Sequence, residues 1–283
     1  MAISRAQLLK ELLPGLNALF GIEYARYDDE HSDIYETESS SRSFEEEVKL
    51  SGFDAAPVKD EGSAISYDAA QESFTARYNH ETIAMGFAIT EEAMEDNLYD
   101  SLSARYTKAL ARAMAHTKQV KSVFPLNNGF TAAYQGGDGV NLFTASGDGV
   151  TGGDGHPLVS GGKNSNRPAT AVDLNETSLE AAVIQIGKWT DERGLLIAAR
   201  PQTLVIPPDL QFVATRVMKS ELRPGTADND INAVRSMGVV PNGTVVNHYL
   251  TDTDAWFLLT DVPDGMKHFN RVALETSMDG DFD

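Results

Sequence analysis

The sequence predicts an α+β chain in which strands and helices fall in separate stretches around one dominant helix. Three observations carry this. Residues 90–124 contain neither Gly nor Pro and place apolar side chains at helical spacing. Residues 44–89 show the period-two patterning of strands, and residues 173–261 mix two amphipathic helices with short apolar runs.

The chain opens with an amphipathic helix expected over 4–20. Ser4 and Gln7 have capping-box spacing, and Leu8, Leu9, Leu12, Leu13, Leu16 and Leu19 give it a broad apolar face. Pro14 predicts a kink or break there. Residues 22–43 are polar and acidic and read as extended. FEEEVKL (44–50) places Phe44, Val48 and Leu50 on one side, SFTARY (73–78) alternates Phe74, Ala76 and Tyr78, and TIAMGFAI (82–89) alternates large with small residues. A Gly- and Pro-punctuated stretch separates the first two. A two-stranded ribbon is marginal alone in water. The first 89 residues therefore either pack on the long helix or lie on a neighbouring copy of the chain.

The long helix reads from Thr90, a cap, through Met94, Leu98, Leu102, Tyr106, Ala109, Ala113, Val120 and Phe124. Glu91, Glu92, Glu95 and Asp96 suit its positive end, Lys118 and Lys121 its negative end, and Pro125 is expected to stop it. At a rise of about 1.5 Å per residue it would be roughly 50 Å long. That length fits a buried backbone helix of a large domain, a coiled coil, or a strut in an elongated subunit; the charges do not settle into clean coiled-coil flanking positions.

Residues 127–168 are rich in Gly, Asn and Asp and read as a long loop around one strand, VNLFTA (140–145). Asp173 and Glu176 have N-cap and N3 spacing for a helix through Leu179, Ile186 and Trp189, ending at Gly194. TLVI (203–206) reads as a buried strand, and PPDL opens a second helix with Leu210, Val213, Ala214, Val217 and Met218 on its face. VVNHYL (245–250) and AWFLLTD (255–261) read as a hairpin joined by TDTD, and VALETSMD (272–279) as a last strand.

Composition excludes several functions. The 283 residues carry 42 Asp and Glu against 23 Lys and Arg, a net charge of -19. That charge opposes sequence-independent nucleic-acid binding, which neutralises phosphates with cations. Cysteine is absent, which removes disulfides, thiolate metal sites and a cysteine nucleophile. No apolar run approaches the ~18 residues of a membrane span, and the start does not read as a signal peptide, so the chain is expected to stay in the cytoplasm where it is made.

No catalytic constellation emerges. Residues 147–152 match G-x-G-x-x-G, but the Gly/Asp-rich continuation offers no helix N-terminus to a pyrophosphate. Asp138, Asp148 and Asp154 could chelate calcium, yet EF-hand spacing and its closing Glu are missing. The six histidines show no metal-ligand pairing, and neither a nucleophile elbow nor a P-loop is present. Trp189 and Trp256 fall on patterned faces and read as core. The expectation is a non-enzyme with no catalytic, cofactor or metal site.

The order of elements, and the segments EEEVKL (45–50), EGSAISYD (61–68), ARYNHETIAMGFAITEEAMEDNLYD (76–100), NNGFT (127–131), DGVNLFTASG (138–147), LVIPPDL (204–210) and YLTDTDAWFLLTD (249–261), resemble the major capsid (head) proteins of tailed bacteriophages, most of all the Mu-type major head subunit family. The resemblance implies the tailed-phage major capsid fold. Residues 1–43 would be an N-terminal arm, 44–89 an extended β-ribbon loop, and 90–126 the spine helix of a peripheral domain. Residues 127–250 would be an axial αβ domain, and 251–283 a return toward the periphery, with the family's final strand apparently missing. It places the ribbon's partner on another chain.

The implied function is a major capsid protein that self-assembles into hexamers and pentamers of an icosahedral head around a double-stranded DNA genome, passing through a procapsid. The alternative is the shell protein of an encapsulin-like cellular nanocompartment. The implied partners are other copies of the chain, with scaffold, portal and decoration proteins, packaged DNA held without specific binding, and no membrane. Assembly would occur in the host cytoplasm and the product would be the virion. Candidate inter-subunit contacts are Leu8, Leu12 and Leu16 on the arm, Phe44, Val48, Leu50, Phe53, Phe74 and Tyr78 on the ribbon, and Arg223 near the axial centre.

Overall fold

One strand ties the molecule together. In the computed structural model, which describes residues 5–89, 99–147, 154–223 and 230–277, β6 (Pro201–Ile206) is the centre of a three-stranded sheet. β7 (Thr244–Val246) runs parallel on one side and β8 (Phe257–Thr260) antiparallel on the other. Leu204, Val205 and Ile206 are all fully buried, as an uninterrupted apolar run requires when both sheet faces are covered. Their alternation divides two cores. Val205 meets Val123, Leu126, Ile34, Leu250 and Phe257, while Leu204 and Ile206 meet Leu174, Ala214 and Val240.

The second core is built by short helices. α3 (Glu176–Ile186) and α4 (Gln211–Lys219) supply Leu179, Ala214 and Val217, and α5 (Ala233–Met237) adds Val234. Gly238 ends α5 in the left-handed region at φ 60°, where glycine carries no Cβ penalty. Buried Asn232 caps that helix through Arg235 N, and its amide donates to Val217 O and Ser220 O, joining α5 to the end of α4.

The first core ends on the long helix. α1 (Arg5–Tyr24) and a 3-10 turn at Glu30–Asp33 pack along α2 (Tyr99–Asn128). Tyr35 Oη donates to Ser122 O at 2.6 Å, fixing the chain that leaves the turn. β1 (Glu36–Ser39) pairs in parallel with β9 (Lys267–Asn270), and β2 (Phe44–Leu50) pairs antiparallel with β3 (Glu72–Asn79) to form a ribbon. A small hairpin, β4 (His156–Pro157) with β5 (Lys163–Asn164), closes the Gly/Asp-rich region.

Several sequence expectations shift. The buried face of α2 is Ser103, Thr107, Ala111, Ala115, Gln119 and Val123. It does not coincide with the apolar stripe predicted: none of Leu102, Tyr106, Ala109, Ala113, Val120 and Phe124 belongs to it. Tyr106, Val120 and Phe124 of that stripe are exposed, Tyr106 by 49%. Small side chains win the buried side because they let packed helices approach closely. Pro125 does not stop α2, which runs to Asn128. Leu126 is buried in the first core, and the Asn127 side chain donates to Tyr249 O and accepts from Thr251 N, so tertiary contacts hold the last turn despite the hydrogen bond proline removes. Helix α1 likewise runs through Pro14. The predicted start of the long helix at Thr90, with Met94 and Leu98, lies outside the described residues.

α3 is capped by Asn175 rather than Asp173, because Asn175 and Ser178 exchange hydrogen bonds at 2.9 Å, and it stops at Gly187 rather than Gly194. The predicted hairpin at 245–261 is not one: β6 lies between β7 and β8, so 247–256 crosses the sheet instead of turning back. Residues 82–89, 140–145 and 272–277 form no strand, and 22–43 contains the 3-10 turn and β1.

Ala111→Leu should lower unfolding stability by about 1–3 kcal/mol, because overpacking a filled seam forces strain. Val120→Ser, on the exposed side, should change it by less than about 0.5 kcal/mol. Denaturant titration of both variants checks which face is buried.

Candidate assembly interface

The ribbon has two chemically different faces. Phe44, Glu46 and Val48 stand opposite Asn79, Arg77 and Thr75 and are exposed. Arg77 lies over the Phe44 ring at 4.3 Å and pairs with Glu46 at 2.5 Å. Glu45, Glu47, Phe74, Ala76 and Tyr78 form the other face, turned toward the body. The Tyr78 ring meets Phe269 of β9 at 5.3 Å. Lys267 Nζ, nearly enclosed, bonds Glu47 at 2.5 Å, Asp264 at 3.1 Å and Glu38 at 3.5 Å. The hydrogen bonds it donates to Glu47 and Asp264 hold its ammonium well above the ordinary lysine range. One lysine thus ties β1, β2 and β9 at the ribbon root.

Further out the ribbon sits on the turn at 191–194. Asp191 Oδ1 accepts from Arg193 N and Leu195 N at 2.9 and 2.8 Å, and Gly194 adopts φ 84°, which makes a rigid bend. Glu192, with a side chain only 4% exposed, pairs with Lys49 at 2.6 Å and accepts from Val159 N at 3.0 Å. Arg193 donates to the carbonyls of Gly52 at 3.3 Å and Ala69 at 2.8 Å. β3 also crosses Gly137 so closely that a Cβ there would lie 2.6 Å from Thr75 O. Under the ribbon is a cavity of about 710 Å³ lined by Phe74, Phe124, Tyr134, Leu158 and Trp189.

Beyond Gly52 the chain forms an irregular tip, closed by Ser51 N donating to Gln71 O at 2.7 Å. All of 52–71 is exposed. Val58 is 96% exposed and Tyr67 92%, with Phe53 and Ile65 also in solvent. Four large apolar side chains left in solvent on one segment make it a candidate interaction surface.

The sequence candidates therefore occupy different settings. Phe44, Val48, Leu50, Phe53 and Tyr78 are exposed, Tyr78 with one side of its ring on Phe269, whereas Phe74 is half-buried on the inner face. Leu16 is half-buried on α1; the side chains of Leu8 and Leu12 lie outside the described residues. Arg223 is bound to Glu176 at 3.1 Å, and the 224–229 loop lies outside the description. Sequence reading missed Val58, Ile65 and Tyr67, because isolated apolar residues among Gly, Ala and Asp show no periodicity.

The Gly/Asp segment is structural where described. Asp138 bonds His156 Nδ1 at 2.6 Å, and Asp154 pairs with Lys163 at 2.8 Å and accepts from Gly147 N. Burial pushes the Asp138 carboxyl up, but the His156 bond and the Val140 N–H outweigh it, leaving the group below its ordinary value. Residues 148–153, with Asp148 and most of the G-x-G-x-x-G match, lie outside the described residues. Among the described residues no three His, Asp or Glu side chains are grouped to hold a metal ion, and no helix is long and apolar enough to cross a membrane.

The fold is one found in viral shells. The chain is similar to a subunit of the procapsid of bacteriophage JBD30, with a TM-score of 0.51 and 15% identity over 88% of this chain and 100% of that one. It is similar too to a subunit of the bacteriophage JBD30 capsid decorated with minor capsid protein trimers, with a TM-score of 0.50 and 15% identity over 77% of this chain and 89% of that one. No curated protein matches the sequence. Residues 73–283 match the phage capsid protein family, and the chain belongs to that family. It is a phage capsid protein.

Gly137→Ala should lift β3 off its seat and cost about 1–3 kcal/mol. Hydrogen exchange should quicken across 44–50 and 72–79 and stay unchanged in β6; equal protection in both segments would contradict the seating.

Proposed function

We propose that the chain is a Mu-type major head subunit that assembles into hexamers and pentamers of an icosahedral shell enclosing double-stranded DNA. The observation that supports this best is the ribbon: its root is fixed to its own body by ion pairs, while its tip holds Phe53, Val58, Ile65 and Tyr67 in water. On this reading residues 1–43 act as the arm, 44–89 as the reaching loop, 90–126 as the spine, 127–250 as the axial domain and 251–283 as the return to the periphery. The tip buries its apolar residues on a neighbouring subunit, and many such contacts sum across the lattice.

Phe44, Val48, Leu50 and Phe53 belong to the same contact, and Leu8, Leu12 and Leu16 serve the arm. Phe74 and Tyr78 act through the ribbon's seating on its own subunit. Arg223, which is bound to Glu176, serves as a contact near the axial centre. The net charge of -19 suits a wall that does not grip packaged DNA. Scaffold, portal and decoration proteins are the expected further partners, and assembly takes place in the host cytoplasm. Family membership supports a phage head over a cellular nanocompartment.

Electron microscopy of the purified chain should show shells or ring-shaped capsomers. The double variant Val58→Asp/Tyr67→Asp should leave only monomers, with an unfolding midpoint within about 0.5 kcal/mol of the parent because both side chains are exposed. Monomers from the parent chain, or undiminished assembly by the variant, would overturn the reading.

A further inference from the structure

The ribbon root rests on a pair of histidines that the shell-building role does not use. His31, in the 3-10 turn, is 3% exposed, and its ring lies 4.8 Å from that of His268 on β9 at an interplanar angle of 59°. Gln119 of α2 completes the cluster. Its Nε2 donates to Asp29 Oδ1 at 3.1 Å and Asp28 O at 3.3 Å and faces His31 Nδ1 at 3.5 Å. Those two oxygens fix the amide: the flipped group would turn its own oxygen toward them. With both amide hydrogens engaged by those oxygens, His31 Nδ1 faces a donor nitrogen that has no lone pair to receive a hydrogen, so a proton on Nδ1 finds no acceptor on Gln119, which favours the neutral ring. His268 Nδ1 is buried without a hydrogen-bond partner, so a proton added there would have no acceptor.

The surrounding charges reinforce this. Lys118 of α2 reaches the cluster and is bound to Asp29 at 3.0 Å. Asp29, 3.7 Å from His31 Nδ1, already serves Lys118 and Gln119. Glu30 is held by His248 at 2.8 Å, and on the β1–β9 side Lys267 engages Glu38, Glu47 and Asp264. Burial first, then Lys118, hold both imidazoles below their ordinary value of 6.5, with Asp29 opposing.

We propose that His31 and His268 form a pH-operated clamp, closed when both rings are neutral, that seats the ribbon root on α2 and releases it on acidification. A proton on His31 Nδ1 opposes the Gln119 N–H with a second donor. A proton on both rings sets two cations side by side. The consequence reaches the ribbon through three consecutive residues of β9: Lys267 holds Glu47, His268 is the clamp, and Phe269 holds Tyr78. The folded form binds protons less readily than the open one. The stabilisation is therefore complete above the open-state value near 6.5 and is lost as pH falls below it.

Hydrogen–deuterium exchange of the full chain at pH 7.5 and 5.5, corrected for intrinsic amide rates, tests the clamp. Amides of 34–40 and 266–270 should exchange severalfold faster at pH 5.5 than at pH 7.5, because the open form then takes up protons that the closed form does not. The acceleration should vanish in His31→Gln/His268→Gln. Lys118→Met provides a test that keeps both rings: it frees Asp29 to pair with an imidazolium and should shrink the acid response. No acceleration in the parent chain overturns the proposal, as does an acceleration that survives in the double variant or is undiminished in Lys118→Met.

Discussion

The structure depends on one apolar junction, where Val123 and Leu126 at the end of α2 meet Val205 of the central strand, with Ile34, Leu250 and Phe257 closing around them. Each such side chain contributes on the order of 1.5–3 kcal/mol on burial. The number matters less than the origin of the residues. They come from the turn after α1, the last turns of the long helix, β6, the segment that crosses the sheet, and β8. Removing water from this point fixes the long helix to the sheet, and it keeps α2 intact through Pro125.

What hangs from that junction is held differently. The ribbon has no large apolar core of its own, and its contacts to the body are mainly charged: Lys267 with three carboxylates, Lys49 with Glu192, and Arg193 with two carbonyls. An aromatic contact between Tyr78 and Phe269 of β9 supplements them. Ion pairs near the surface contribute little net stability, since desolvation and side-chain ordering offset most of the attraction. They set direction and register instead. The ribbon is aimed by specific pairs while the body owes its stability to burial.

The sequence reveals the elements whose chemistry is local. FEEEVKL and SFTARY alternate and pair as β2 and β3, TLVI is a strand buried on both faces, and the helix after PPDL buries Ala214 and Val217. Illegible parts are those decided by tertiary contact. β1 (ETES) and β9 (KHFN) carry no apolar alternation and exist because they pair with each other. The buried face of α2 was hidden because Ala, Ser and Thr score as bland in any hydrophobic pattern, although close packing favours them. TDTD looked like a hairpin turn because nothing local reveals that β6 would come between the two strands. At the candidate interface, Phe44, Val48, Leu50 and Phe53 announced themselves as strand or ribbon hydrophobics. Glu192 and Arg193 did not, since charged residues in a turn ordinarily face water.

The division between an apolar body and a charge-aimed ribbon bears on the proposed role. A shell subunit must meet neighbours at unequal angles while keeping its own fold, so its reach and its core need separate sources of stability. Exchanging one carboxylate partner for another keeps each charge paired, so the energy changes little. Rearranging the Val205 junction would expose buried apolar surface and oppose folding. A chain built this way can let Lys49, Arg193 and Lys267 change partners while β6 and α2 remain unaltered. The exposed residues of the tip are then compatible with a stable monomer, since none of them belongs to the junction and their solvation does not disturb it.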